Sequence, residues 1–183
     1  MNRETETVLT KIAQALNASH VLWGVGASLL LYQYKLVESP SDIDLIVSTT
    51  DTKTVDRILS ALGAKQEETP SDIYATEYFY EYIIDGISID VMAGLKINLN
   101  HSVFEYIFDK ESIPNKICIQ NQLVPFSTLE DWYVLYQLMP GKEFKADLIA
   151  NYFHQHGIQH PSLLERITET STLPANIKEK AKF

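Results

Sequence analysis

The spacing of hydrophobic positions changes several times along the chain, and each change predicts a different element. Residues 4 to 17 and residues 52 to 62 place apolar side chains three and four positions apart, which is typical of amphipathic helices. Asp51 and Gly63 are the expected caps of the second helix. Residues 74 to 84 instead alternate between two sets of side chains, which indicates a strand.

Short apolar runs between turn residues predict the other strands. A run rich in β-branched residues predicts a strand over 42 to 47. Residues 87 to 92 return from the strand at 74 to 84 through Asp85-Gly86, a dipeptide that favours a two-residue hairpin. A second hairpin is expected within 117 to 126, around Asn121-Gln122.

Helical signals dominate after residue 126. Ser127-Thr128-Leu129-Glu130 matches a capping box, which predicts a helix from 128 to 139. Further helices are expected over 143 to 156 and from Pro161 to about residue 170. Residues 103 to 108 are interpreted as a short helix.

These elements predict an α/β fold of the α+β kind, with a mixed sheet, flanking helices and a helical tail. We expect two parts: residues 1–126 form the α/β core, and residues 127–183 form a C-terminal helical segment packed on it. A chain of 183 residues is long enough to bury a core without disulfides.

Composition narrows the choice of partners. The net charge is −9, from 15 basic and 24 acidic residues, and no lysine or arginine cluster occurs, so nucleic acid is a poor candidate ligand. No apolar run approaches the roughly 18 residues that a membrane span needs. The polar start MNRETETVLT lacks the pattern of a signal peptide, and Cys118 is the single cysteine. We therefore expect a cytoplasmic protein that does not bind membranes.

Three aspartates stand in apolar strands, where acids are disfavoured. Asp42 and Asp44 are one residue apart, so a strand directs both side chains to one face. Two such carboxylates repel each other unless a cation lies between them, and Mg²⁺ prefers carboxylate and phosphate oxygens. Asp90 could join them from a neighbouring strand, and three carboxylates can hold two metal ions. The alternatives are that Asp42 caps a turn and that Asp90 is simply exposed.

A glycine turn, Gly24 to Ser28, joins a predicted strand to a predicted helix. Small residues let the backbone approach a phosphate, and free N–H groups at the start of a helix favour negative charge. Lys142 and Lys145 could also reach phosphate, although a solvated helix face is the simpler interpretation. Three tyrosines on the 74–84 strand are expected to cover one face of the hairpin, with a substrate pocket as the alternative.

Together these motifs resemble a known signature. The run from Gly26-Ala27-Ser28 to Ser41-Asp42-Ile43-Asp44-Leu45, with Ile89-Asp90-Val91 further on, is similar to the signature of nucleotidyltransferases of the DNA polymerase β superfamily. The stretch from Val124 to Tyr152 resembles the helical tail of small bacterial members that adenylylate lincosamide or aminoglycoside antibiotics. Two departures are Ala27, where glycine or serine is usual, and the lack of an arginine before the paired aspartates.

The resemblance implies a mixed-sheet nucleotidyltransferase that transfers a nucleoside monophosphate from a nucleoside triphosphate, with ATP expected, to a hydroxyl of a small molecule. Asp42, Asp44 and Asp90 would be the catalytic residues and the ligands of two Mg²⁺ ions. The nucleotide would be held by Gly26, Ala27, Ser28 and Ser41. The alternative is an antitoxin-like or regulatory member of the fold that modifies or binds a partner protein. The sequence does not identify the acceptor, and it does not decide between a monomer and a homodimer.

Overall fold

The protein is described by a computed structural model that covers residues 1–40, 42–67, 71–100 and 102–183. Within these ranges the strands are β1 (Trp23–Val25), β2 (Ile43–Val47), β3 (Ala64–Lys65), β4 (Tyr78–Ile84), β5 (Ile87–Ala93), β6 (Lys96–Asn98), β7 (Val103–Glu105), β8 (Asn115–Ile119) and β9 (Gln122–Phe126). The helices are α1 (Arg3–Ala18), α2 (Ala27–Gln33), α3 (Thr52–Leu62), α4 (Leu129–Leu138), α5 (Glu143–His156), α6 (Pro161–Thr168) and α7 (Ala175–Lys180). Among these described residues, no helix is long and apolar enough to cross a membrane.

Seven of the strands form one mixed sheet in the order β3-β4-β5-β2-β1-β9-β8. The pairs β2–β5 and β1–β9 are parallel, and the other neighbours in this sheet are antiparallel. The two remaining strands, β6 and β7, pair in a small antiparallel sheet. The predicted α/β class with a mixed sheet and flanking helices is confirmed.

The two faces of the large sheet can be told apart by Tyr82. Its side chain is fully buried, and its hydroxyl donates to Asp56 of α3 at 2.5 Å. Tyr82 lies opposite Ile89, which in turn lies opposite Ile43. Side chains alternate along each strand, so these residues face α3, and Asp44 faces the other side of the sheet.

The long helices and both hairpins occur where the sequence predicts them. The β4–β5 turn places Asp85 and Gly86 at φ angles of 49° and 82°, as a two-residue hairpin turn requires. Strand β4 begins at Tyr78, four residues later than predicted. Asp51 and Gly63 are the N-cap and C-cap residues of α3, as predicted, but the Asp51 carboxylate accepts the backbone N–H of Leu22 rather than an N–H of the helix.

The short helix predicted over residues 103 to 108 is wrong. Val103–Glu105 form strand β7, in which Phe104 lies opposite Ile97 and is fully buried. The neighbours of Phe104 on either side are exposed, which is the alternation of a strand covered on one face.

The capping box predicted at Ser127 is also wrong. Thr128 is the N-cap of α4, and its hydroxyl accepts the backbone N–H of Asp131 at 3.3 Å. Glu130 is buried and accepts the backbone N–H groups of Gln159 and His160, which ties α4 to the start of α6. The division of the chain at residue 127 stays a prediction.

Candidate active site

Three aspartates meet on the side of the sheet that faces away from α3. Asp44 lies directly opposite Asp90 in the parallel pair of β2 and β5. Asp42 comes one residue before the start of β2, which begins at Ile43 and not at the predicted residue 42. Each of the three side chains offers a carboxylate oxygen within 4.8 Å of the others. The strand register therefore joins acids that are separated by nearly fifty residues in the sequence.

Burial and the repulsion between neighbouring carboxylates raise the pKa values of Asp44 and Asp90. Burial, Asp42 and Asp90 raise the pKa of Asp44 to about 8. The pKa of Asp90 rises to about 6, through burial first and then through the charges of Asp42 and Glu81. Glu81 lies opposite Asp90 on β4, so a fourth acid borders the cluster. Carboxylates in this arrangement favour either a bound proton or a bound cation.

The glycine turn passes directly beside the aspartates. The Gly26 N–H donates to the backbone oxygen of Asp44 at 3.0 Å. The Ser28 hydroxyl donates to Asp42 Oδ1 at 3.0 Å, and the Ser28 backbone N–H hydrogen-bonds to the carboxylate of Asp44. Ser28 therefore orients both acids in this structure.

Two positions of the turn are sterically demanding. A Cβ atom on Gly26 would lie 2.2 Å from Cζ2 of Trp132, so the indole ring occupies the space where a side chain would be. Ala27 has a φ of 45°, which is in the left-handed region that favours glycine. Of the predicted nucleotide ligands, Ala27 lines the cavity next to the aspartates, whereas Ser41 lies outside the described residues.

A cavity of about 580 Å³ opens over the aspartate cluster. This volume is within the usual range for sites that bind small molecules and cofactors. Aromatic residues from three parts of the chain contribute to its wall, namely Tyr74, Tyr78, Phe79, Tyr80, Trp132 and Tyr136. Tyr82 is buried against α3, and Tyr78 and Tyr80 are among the residues that line the cavity.

Comparison with known proteins gives matches by structure. No protein-family model and no curated protein matches the sequence. TM1012 from Thermotoga maritima, assigned as a nucleotidyltransferase, matches with a TM-score of 0.62 at 24% identity over 85% of this chain and 96% of that one. The antibiotic-resistance factor ANT(2'')-Ia matches with a TM-score of 0.60 at 15% identity, over 91% and 90% of the two chains. The lincosamide antibiotic adenylyltransferase LnuA matches with a TM-score of 0.52 at 14% identity, over 80% and 96%.

The fold is that of the nucleotidyltransferases. In this nucleotidyltransferase fold, helix α4 supplies two cavity residues that sequence analysis missed, Trp132 and Tyr136. Their rings are tilted against each other at a centroid distance of 5.1 Å. Helix α4 is buried on nearly every side, so its pattern does not mark one face as functional.

A chain of hydrogen bonds fixes Trp132 against the glycine turn of the nucleotidyltransferase fold. Trp132 Nε1 donates to Ser127 Oγ at 2.7 Å, and Ser127 Oγ donates to the backbone oxygen of Val25 at 3.0 Å. The Ser127 N–H also donates to that oxygen, at 2.9 Å. These hydrogen bonds thus connect α4 to the last residue of β1, immediately before Gly26.

Two lysines from the start of α5 complete the wall of the cavity. Lys142 is exposed, which agrees with its interpretation as a solvated residue, and it also lines the cavity. Lys145 is half-buried and lines the same cavity, so the interpretation as a solvated residue is wrong for Lys145.

Proposed function

We propose that this protein is a metal-dependent nucleotidyltransferase that moves a nucleoside monophosphate from a nucleoside triphosphate, with ATP as donor, to a hydroxyl of a small molecule. The observation that carries the proposal is that Asp42, Asp44 and Asp90 bring carboxylate oxygens within 4.8 Å of one another in the wall of a cavity. A cytoplasmic location accompanies the proposal, because nucleoside triphosphates are made inside cells.

The chemistry of the donor set fits Mg²⁺. Mg²⁺ binds carboxylate oxygens together with phosphate oxygens, and the cluster presents three carboxylate oxygens within 4.8 Å of one another. Asp42, Asp44 and Asp90 would hold two ions. When bound, the ions supply positive charge that stabilises the negative charge developing on the phosphate oxygens.

The chain's own groups then position the reactants. The acceptor hydroxyl oxygen forms a bond to the α-phosphorus, the bond between that phosphorus and the bridging oxygen breaks, and pyrophosphate leaves. Asp90, which lies opposite both Asp44 and Glu81, would receive the hydroxyl proton or act as a third metal ligand. Ser28 keeps the carboxylates of Asp42 and Asp44 oriented.

The acceptor is proposed to be a small molecule because the aspartates lie at a walled cavity with aromatic sides. Two proteins with the same fold give support: one structure of ANT(2'')-Ia is a complex with adenylyl-2"-tobramycin, and a structure of LnuA is bound to lincomycin. Such an acceptor would lie against the aromatic residues Tyr74, Tyr78 and Phe79, which line the cavity.

The test is transfer of label from α-labelled ATP to a panel of hydroxylated small molecules in the presence of Mg²⁺, with pyrophosphate release followed in parallel. We expect Asp42→Ala and Asp44→Ala to lower turnover by at least about 100-fold, the scale of losing a charge-stabilising group. Asp147→Ala, on the exposed side of α5, is the matched control. Full turnover in both cluster variants would refute the assignment, and label on a co-purified protein would favour modification of a partner protein.

A further inference from the structure

The helical segment brings positive charge to the cavity that the aspartates also line. Helix α5 begins at Glu143, and Lys142 is its N-cap residue, without a side-chain cap. Lys142 and Lys145 both line the cavity. The free N–H groups of a helix start favour anions, and here two lysines add to that preference.

Lys145 is the more informative of the two lysines. It is half-buried, and no carboxylate of the described residues lies within ion-pair distance of its Nζ. Its Nζ lies 5.1 Å from the centre of the Tyr136 ring, which holds it towards the cavity. Burial, and then Lys142, lower its pKa, while the charges of Asp44 and Asp42 act in the opposite direction. A partly desolvated cation without a counter-ion is costly unless an anion joins it.

Tyr136 provides a second, independent observation. The side chain is 2% exposed, and its hydroxyl has no hydrogen-bond partner within the described part of the chain. Tyr136 lines the cavity together with Asp42, Asp44 and Tyr74. Its hydroxyl therefore belongs to the wall of the cavity in which a ligand would lie. A buried hydroxyl without a partner is unfavourable, and a ligand oxygen would satisfy it.

We propose that Lys145, Lys142 and Tyr136 bind the β- and γ-phosphates of the nucleotide, the part that leaves as pyrophosphate. This assignment rests on the proposed function and adds to it that the helical segment supplies the positive side of the nucleotide site. It also accounts for the missing arginine before Asp42, since Lys35, the base nearest to that position in the sequence, is exposed and does not line the cavity. Lysines recognise phosphate as point charges, so they can serve from a different element of the fold.

The experiment measures binding of Mg²⁺-pyrophosphate, Mg²⁺-ATP and AMP by calorimetry, together with the melting temperature of each variant. We expect Lys145→Gln to weaken pyrophosphate and ATP binding about tenfold or more, with AMP affinity unchanged. Lys142→Gln should have a smaller effect of the same kind, because Lys142 is exposed. Tyr136→Phe should weaken pyrophosphate binding without lowering the melting temperature, because its hydroxyl has no hydrogen-bond partner to lose among the described residues.

Lys53→Gln is the matched control, since it removes the same charge from an exposed position on α3. The assignment is overturned if the wild-type protein fails to bind pyrophosphate, if Lys145→Gln and Tyr136→Phe bind it normally, or if Lys53→Gln loses as much affinity. Lys145-dependent pyrophosphate binding without transfer to any acceptor would uphold this assignment and reject the proposed function. If nucleotide transfer occurs and Lys145→Gln does not change its rate, the proposed function stands and this assignment is rejected.

Discussion

Asp44→Asn is expected to make the metal-free protein more stable while it abolishes nucleotide transfer. Asparagine keeps the size of aspartate and can still accept the hydrogen bond from the Ser28 N–H, but it removes one charge from the crowded cluster. A residue that destabilises the free protein and is still required for activity is the expected behaviour of a metal ligand.

The size of the effect follows from the pKa of Asp44, which burial, Asp42 and Asp90 raise from 3.8 to about 8. One pKa unit corresponds to about 1.4 kcal/mol, so the raised pKa of Asp44 lowers the free energy of unfolding by at most about 4 kcal/mol at about pH 7. Asp44 is partly accessible to solvent, which screens its charge, and we therefore expect a gain of about 2 kcal/mol for Asp44→Asn.

The pH dependence has a definite sign. The folded protein binds a proton at Asp44 more tightly than the unfolded chain does, so the free energy of unfolding of the metal-free wild type should fall as pH rises from about 4 to about 8. In Asp44→Asn most of this fall should disappear, leaving a smaller decrease through the pKa of Asp90 at about 6.

Urea unfolding in EDTA at several pH values, repeated with saturating Mg²⁺, measures each of these quantities. Mg²⁺ at about 100 times its dissociation constant should add about 2.7 kcal/mol to the wild type and much less to Asp44→Asn. Asp147→Asn, an exposed change of the same chemistry, should behave like wild type in both media. If Asp44→Asn is less stable than wild type in EDTA above pH 7, the carboxylates do not repel each other strongly. If Mg²⁺ stabilises Asp44→Asn as much as wild type, Asp44 does not share a cation with the other carboxylates.

Two further predictions concern the glycine turn. Gly26→Ala should lower the free energy of unfolding, measured with urea, by about 3 kcal/mol and should lower activity, because its Cβ would lie 2.2 Å from Trp132 Cζ2 and displace the indole. Unchanged stability would mean that the indole moves freely. Ala27→Gly should raise the free energy of unfolding by up to about 1 kcal/mol, because relief of the left-handed backbone at a φ of 45° exceeds the added freedom of the unfolded chain. A loss of stability larger than about 1 kcal/mol in Ala27→Gly would contradict that balance.

Local patterns predict the elements that depend on local physics. The β4–β5 hairpin follows from Asp85-Gly86, which tolerate the positive φ angles that the turn requires. Strand alternation likewise predicts that Asp42 and Asp44 share a face and that Asp90 points away from its apolar neighbours. Alternation does not predict which strands pair with each other. Asp44 lies opposite Asp90 because of the register between β2 and β5, which the local pattern does not contain.

The wrong predictions all fall where distant contacts override local preference. Val103–Glu105 form a strand because Phe104 can be buried opposite Ile97, a pairing that a short window cannot reveal. Ser127 begins a capping-box sequence, yet its hydroxyl donates to the Val25 carbonyl and accepts from Trp132 Nε1. The helical pattern of residues 143–156 predicts that Lys145 is solvated, and the packing of α5 beside α4 brings it to the cavity.

The hydrogen bonds of Ser127 limit how modular this chain can be. Ser127 is the first residue of the helical segment, and both its N–H and its hydroxyl bind the carbonyl of Val25, one residue before the turn that faces the aspartates. A fragment ending at residue 126 would lose both donors and leave that turn without its indole neighbour. Hybrids that graft a helical segment from another protein to change acceptor preference would have to retain a hydroxyl at 127 and an indole at 132.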